Sequence, residues 1–202
     1  LALFIYAYHD APDLVSDWLE ALNWAEIRRV HETADRELSP VALVYSDIAD
    51  KNATFYSPAF LRKEFFPRLS KLVEAWHQHG IRVIFHSDGN LWQVLNDFRA
   101  AGVDGINPLE PLSGMYAGDV RAHYPDWILM GGVDASQLLP FAPADVVRAT
   151  VRRTIEQAGA HGRLWLGSST EIHPACKLEN VLAMWDTILE HGYYDQPAGE
   201  RR

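Results

Sequence analysis

The sequence predicts an α/β protein built on a parallel sheet, and three observations carry that prediction. Short apolar runs alternate six times with longer stretches of helical periodicity. The runs lack the polar alternation of a half-exposed strand, as expected where helices cover both faces of a sheet. No hairpin signal joins neighbouring runs, so the connections read as crossovers. An open doubly wound sheet and a (β/α)8 barrel both fit. No glycine-rich phosphate loop follows the first run, which weakens the dinucleotide-binding version of the open sheet.

Taken in order, Leu3 to Tyr8 reads as a strand that ends in His9-Asp10-Ala11-Pro12. Pro12 suits the first turn of a helix carrying Leu14, Val15, Trp18, Leu19 and Leu22. Asn23 is a candidate cap for a second helix, which Pro40 ends. Val41 to Tyr45 is a buried-type strand closed by Ser46-Asp47. Ser57-Pro58 supplies an N-cap and a first helical residue. The helix runs through Phe60, Leu61 and Phe66, is kinked or restarted at Pro67, and ends at Gly80. Arg82 to His86 is the next strand, with Val83, Ile84 and Phe85 at its centre. Leu91, Val94, Leu95 and Phe98 mark a helix ending at Gly102. Gly105-Ile106-Asn107-Pro108 is a short strand, Met115 to Tyr124 a helix and Trp127 to Met130 a strand. Val146, Val147, Val151 and Ile155 lie on a helix, Leu164-Trp165-Leu166 on a strand, and Leu178, Val181, Leu182, Trp185, Ile188 and Leu189 on a last helix.

The 202 residues, 48% of them hydrophobic, suffice for one sizeable core. The net charge of −9 and the isolation of Arg152-Arg153 and Arg201-Arg202 argue against a nucleic-acid groove or a membrane patch. A single cysteine, Cys176, excludes an internal disulfide framework and fits a reducing cytoplasm. No apolar run approaches the roughly 20 residues of a membrane span. The chain starts Leu1-Ala2-Leu3-Phe4 in a strand-like run, without Met. The expectation is one barrel domain, residues 1–202, whose first strands lie outside this stretch, with homo-oligomerisation as one way to complete it.

The polar residues favour the barrel. Asp10, Asp47, His86 with Asp88, Glu110, Asp134, and Glu171 with His173 stand at successive strand ends. In a barrel those ends converge on one mouth, where active sites sit. His86 and Asp88 are two apart on an extended backbone, so both side chains leave the strand on one face. Gly89 and Asn90 permit the turn beyond them. A hydrogen-bonded His–Asp pair and a ligand pair both fit this spacing. Asp47 and Asp134 could equally cap helices. Trp76-His77 with His79 is poorly spaced for two ligands and reads as a solvated face.

Several stretches stand in a familiar order. They are Tyr56-Ser57-Pro58 with Phe66-Pro67, then His86-Ser87-Asp88-Gly89-Asn90, and Gly102-Val103-Asp104-Gly105-Ile106-Asn107-Pro108-Leu109-Glu110. Gly131-Gly132-Val133-Asp134 with Leu138-Leu139, and Leu178-Glu179-Asn180-Val181 with Ala183-Met184, follow. The ordered set resembles the uroporphyrinogen decarboxylase superfamily over nearly the whole chain. The resemblance implies a (β/α)8 barrel and an enzyme acting on a small molecule, by one of two activities. One is zinc-dependent methyl transfer involving a corrinoid, carried by a partner protein, or a small methylated substrate. The other is decarboxylation of an acidic porphyrin precursor without metal. An incomplete barrel, inactive alone or serving as a binding module, is a third reading. In the methyltransferases a His-x-Cys pair and a further Cys hold zinc. His86 matches the His, but Asp88 stands where the Cys would be. The implied ligands to zinc or another divalent metal are His86 and Asp88 with Glu171, His173 or Cys176. Glu171, Glu110 and Asp134 are the expected catalytic groups, and Asp47, Asn90 and Ser168 the expected substrate contacts.

Overall fold

The computed structural model describes residues 2–160 and 162–193, so Arg201-Arg202 lies outside the described residues. Five strands, β1 (Val41–Tyr45), β2 (Arg82–His86), β3 (Gly105–Leu109), β4 (Ile128–Val133) and β5 (Leu164–Ser168), form one parallel sheet in sequential order. Helices separate them, which is the sequential βα pattern of a (β/α)8 barrel. The chain divides into two compact units. One comprises Leu1–Val44, Tyr56–Val83 and Val94–Val103, the other Tyr45–Phe55, Ile84–Gln93 and Asp104–Arg202.

The first unit corrects the first expected strand. Leu3 to Tyr8 belongs to a helix, α1 (Ala2–Asp10), which leaves five strands rather than six among the described residues. An unbroken apolar run has no period that separates a short helix from a buried strand. Here tertiary contacts decide: Phe4 and Tyr8 share a helix face and stack at 6.4 Å. Tyr8 also meets Phe60 edge-on at 4.9 Å. Asp10 accordingly ends a helix and not a strand. Pro12 opens α2 (Pro12–Thr33) as expected, but that helix runs unbroken through Asn23, which caps nothing. Ile27 and Val30 of α2 pack with Ala75.

Ser57 caps α3 (Pro58–Phe60) by accepting from the Phe60 amide at 3.2 Å. A π-turn over Leu61–Phe65 follows, and α4 (Phe66–Gln78) restarts with Pro67 in its first turn. The π-turn buries Glu64, which is 3% exposed. Burial pushes that carboxyl up, but hydrogen bonds from Tyr8, Ser16, Arg68 and Lys63 outweigh it and hold it below the usual range. Helix α5 (Leu95–Ala100) places Phe98 against Phe66, with ring centroids 5.1 Å apart.

In the second unit, β2 pairs with β3 (His86 opposite Asn107), and β4 with β5 (Val133 opposite Ser168). The β3–β4 register shifts between Ile106 and Leu109. A Cβ on Gly131 would stand 2.9 Å from the Leu109 nitrogen, and its φ of +93° favours glycine. The remaining helices are α6 (Ala117–His123), α7 (Leu138–Phe141), α8 (Ala144–Ala158) and α9 (Leu178–His191). Val133, Leu139, Val147, Val151, Ala183 and Met184 form a core between them. Arg121 of α6 is 7% exposed and donates to the carbonyls of Pro125, Trp127, Ala158, Gly162 and Arg163 at 2.7–3.2 Å. It ties the end of α8 to the start of β4 and β5.

Candidate functional site

The site grows from the carboxyl end of β2. Val83, Ile84 and Phe85 are fully buried, which fixes the strand, and the chain turns polar at His86. Ser46 N donates to the His86 carbonyl at 3.0 Å, and Ser87 N to the Asn107 carbonyl at 2.9 Å. Buried Ser87 accepts from the Ile48 amide at 3.1 Å and donates to the Asp88 carbonyl at 2.9 Å. The turn at Gly89 has φ +91° and lies against the backbone of Ala49 and Asp50. Asn90 N donates to the Asp50 carbonyl at 2.7 Å. The loops after β1 and β2 are therefore knitted together by backbone and hydroxyl contacts.

Their acidic residues meet His86. Asp47, His86 and Asp88 each offer one ligand atom, and these atoms all lie within 4.8 Å of one another. His86 Nε2 is 3.9 Å from Asp47 Oδ1, while Nδ1 lies 2.6 Å from Asn107 Oδ1. The Asp88 amide donates to Asp47 Oδ1 at 3.1 Å. Tyr45 sets its ring edge-on to His86, centroids 6.2 Å apart.

The local charge is one-sided. Burial pushes the Asp88 carboxyl up, and Asp47, Glu110 and Glu171 add to that rise, with His86 opposing it. Glu171 is held below the usual carboxylate range, first by the Thr170 hydroxyl at 2.8 Å and then by its own backbone amide, with a contribution from His86. Three carboxylates thus act on Asp88 beside a single imidazole. Such a cluster is relieved by a cation. One imidazole nitrogen with two carboxylate oxygens is a donor set that fits a divalent metal. It is harder than a thiolate set, and the substitution of Asp88 for the expected Cys leaves the triad able to hold zinc or a harder ion.

The other expected residues fall into distinct places. Glu110 Oε2 accepts from the Gly89 amide at 3.0 Å and from Ser113 at 2.6 Å, so that oxygen braces the turn. Asn90 Oδ1 accepts from the Trp92 amide at 3.1 Å. Asp134, expected as a catalytic group, follows β4 directly. It is 7% exposed, and its oxygens accept from the amides of Ser136, Gln137 and Leu138 at 2.8–2.9 Å, which makes it a turn cap. His173 and Cys176, expected as ligands, both lie against the Ala135 carbonyl. Nε2 of His173 lies 3.0 Å from the Ala135 carbonyl, and its Nδ1 accepts from Ala175 N at 3.3 Å. Cys176 Sγ is directed at the same carbonyl at 3.5 Å, and the residue packs on the α7–α9 core. Neither joins the triad among the described residues, and Asp47, expected as a substrate contact, supplies its third member. Glu171 reaches His86 electrostatically but is outside the 4.8 Å group. Ser168, expected as a substrate contact, ends β5 and is half-buried. Asn107 was not among the expected site residues. Its signal was a polar side chain inside an otherwise apolar strand.

The sequence model described as uroporphyrinogen decarboxylase (URO-D) matches residues 9–191. The chain belongs to the uroporphyrinogen decarboxylase family. No curated protein matches it. Among solved structures it is similar to a methyltransferase from Methanosarcina mazei, at 22% identity and a TM-score of 0.72. The match covers 94% of this chain and 53% of that one, so the chain spans about half the length of the relative. At this identity the likeness shows the fold. Among the described residues no helix is long and apolar enough to cross a membrane.

Proposed function

We propose that this chain carries the metal-binding part of a methyl-transfer enzyme, acting on a small methylated molecule or on a corrinoid presented by a partner protein. The observation that carries the reading is the convergence of Asp47, His86 and Asp88 within 4.8 Å at adjoining strand ends. A solved structure of similar fold, named as a methyltransferase, supports it. A divalent ion bound by these three residues would supply Lewis-acid polarisation of the substrate's heteroatom. The protein's own contribution is positional and electrostatic. His86 offers a nitrogen whose ring is held from behind by Asn107. Asp47 accepts from the Asp88 amide and so ties the two acidic loops together. Glu110 holds the Gly89 turn that aims Asp88. Decarboxylation of an acidic tetrapyrrole suits this mouth less well, because Asp47, Asp88, Glu110 and Glu171 would repel a polycarboxylate.

The test is metal uptake by chelator-stripped protein, measured by elemental analysis and titration calorimetry. Wild type is expected to take up about one divalent ion per chain, and His86→Ala and Asp88→Ala to lose it. No uptake by wild type, or uptake unchanged in His86→Ala, sinks the reading. With metal restored, transfer of a methyl group from a small methylated donor to a free corrinoid is the activity to assay.

A further inference from the structure

An imidazole offers two different nitrogens, and only one can face a ligand at a time. At His86 the two are already divided. Nδ1 lies 2.6 Å from the side-chain oxygen of Asn107. An amide oxygen can only accept, so the proton of that bond sits on Nδ1. In the neutral ring, Nε2 then carries the lone pair. It is 3.9 Å from Asp47 Oδ1, beyond hydrogen-bond reach, so this contact does not consume it.

We infer that Asn107 is a positioning residue, which holds His86 as the Nδ1–H tautomer and so presents Nε2 to a divalent cation beside Asp47 and Asp88. The inference rests on the metal reading above and specifies which atom of His86 serves it.

The surrounding structure makes Asn107 hard to account for otherwise. It is half-buried and the sole polar side chain in β3, between fully buried Ile106 and the buried Pro108-Leu109 pair. A polar side chain in such a strand is costly unless it is hydrogen-bonded. Its partner is across the sheet, since His86 and Asn107 are opposed in the β2–β3 register. The backbone is pinned at the same level by Ser87 N donating to the Asn107 carbonyl at 2.9 Å. The Tyr45 ring, edge-on at 6.2 Å, limits the remaining freedom of the imidazole. Such partners of a metal-binding His typically change affinity by about 10–100-fold when removed.

Two variants separate positioning from bulk structure. Asn107→Leu removes the acceptor at similar volume, and Asn107→Asp restores an acceptor. The first readout is the ¹⁵N NMR signature of the His86 ring in metal-free protein at a pH where it is neutral, assigned with His86→Ala. The second is zinc affinity by calorimetry. The expected result is Nδ1–H in wild type and in Asn107→Asp, and a mixed or Nε2–H ring in Asn107→Leu. Zinc should bind about 10–100-fold more weakly to Asn107→Leu, with affinity recovered in Asn107→Asp. An Nε2–H ring in wild type, or an unchanged tautomer in Asn107→Leu, overturns the inference. An Asn107-dependent Nδ1–H ring in a wild-type protein that takes up no metal supports the positioning role and overturns the metal reading instead.

Discussion

Replacing Gly89 by Ala probes the turn on which the candidate site depends. Gly89 has φ +91°, a conformation that costs an L-residue on the order of 1–3 kcal/mol. A Cβ there would collide with the Asp50 carbonyl oxygen and stand 2.7 Å from the Ala49 carbonyl carbon. Both are backbone, so the turn must move. Moving it strains two hydrogen bonds, Gly89 N to Glu110 at 3.0 Å and Asn90 N to the Asp50 carbonyl at 2.7 Å. Each contributes about 1 kcal/mol. Together these give a destabilisation of about 3–5 kcal/mol. With a urea slope of about 2 kcal/mol/M, the unfolding midpoint falls by about 1.5–2.5 M. Asp88 sits one residue before the turn, so metal affinity falls as well. Gly167→Ala is the control, since a Cβ there meets nothing within 4 Å. Urea unfolding followed by circular dichroism makes the comparison. If Gly89→Ala unfolds within about 0.5 kcal/mol of wild type, the argument from the turn is wrong.

Three further outcomes follow from other parts of the chain. Asp88→Asn removes a carboxyl held above its ordinary value of 3.8, whose folded state therefore binds more protons than the unfolded state just above that pH. Wild-type stability is accordingly lost as pH rises through that window. The metal-free variant should be more stable than wild type near neutrality, and the gap should close as pH falls below 3.8, which thermal melts across pH would show. Asp134→Ala strips a cap from three amides and should cost about 1–2 kcal/mol while leaving metal affinity within twofold, as read by paired melts and calorimetry. Arg121→Met abandons five backbone carbonyls in a buried setting and should cost about 3 kcal/mol or more in denaturant titration, again without touching the site.

The sheet was legible in the sequence because β1 to β5 are short apolar runs bounded by turn residues, and Ser57-Pro58 marked a helix start through local chemistry alone. Leu3 to Tyr8 was not, because an unpunctuated apolar run takes its state from distant partners such as Phe60 and Glu64. The same division holds at the site. His86 and Asp88 share a face by strand geometry, which spacing reveals. Asp47 joins them through contacts some 40 residues apart in sequence, and spacing could not rank it above Glu171, His173 or Cys176. Asp134 looked the same as Asp47, an acid after a strand. Only the three amides it accepts from distinguish a cap from a ligand.

X-ray absorption of the zinc-loaded protein tests the central claim most directly. Asp47, His86 and Asp88 provide only oxygen and nitrogen, so the first shell should lie at about 2.0–2.2 Å without sulfur. Cys176 is the one thiol in the chain. A sulfur scatterer at about 2.3 Å would place Cys176 on the metal and contradict the assignment of the triad.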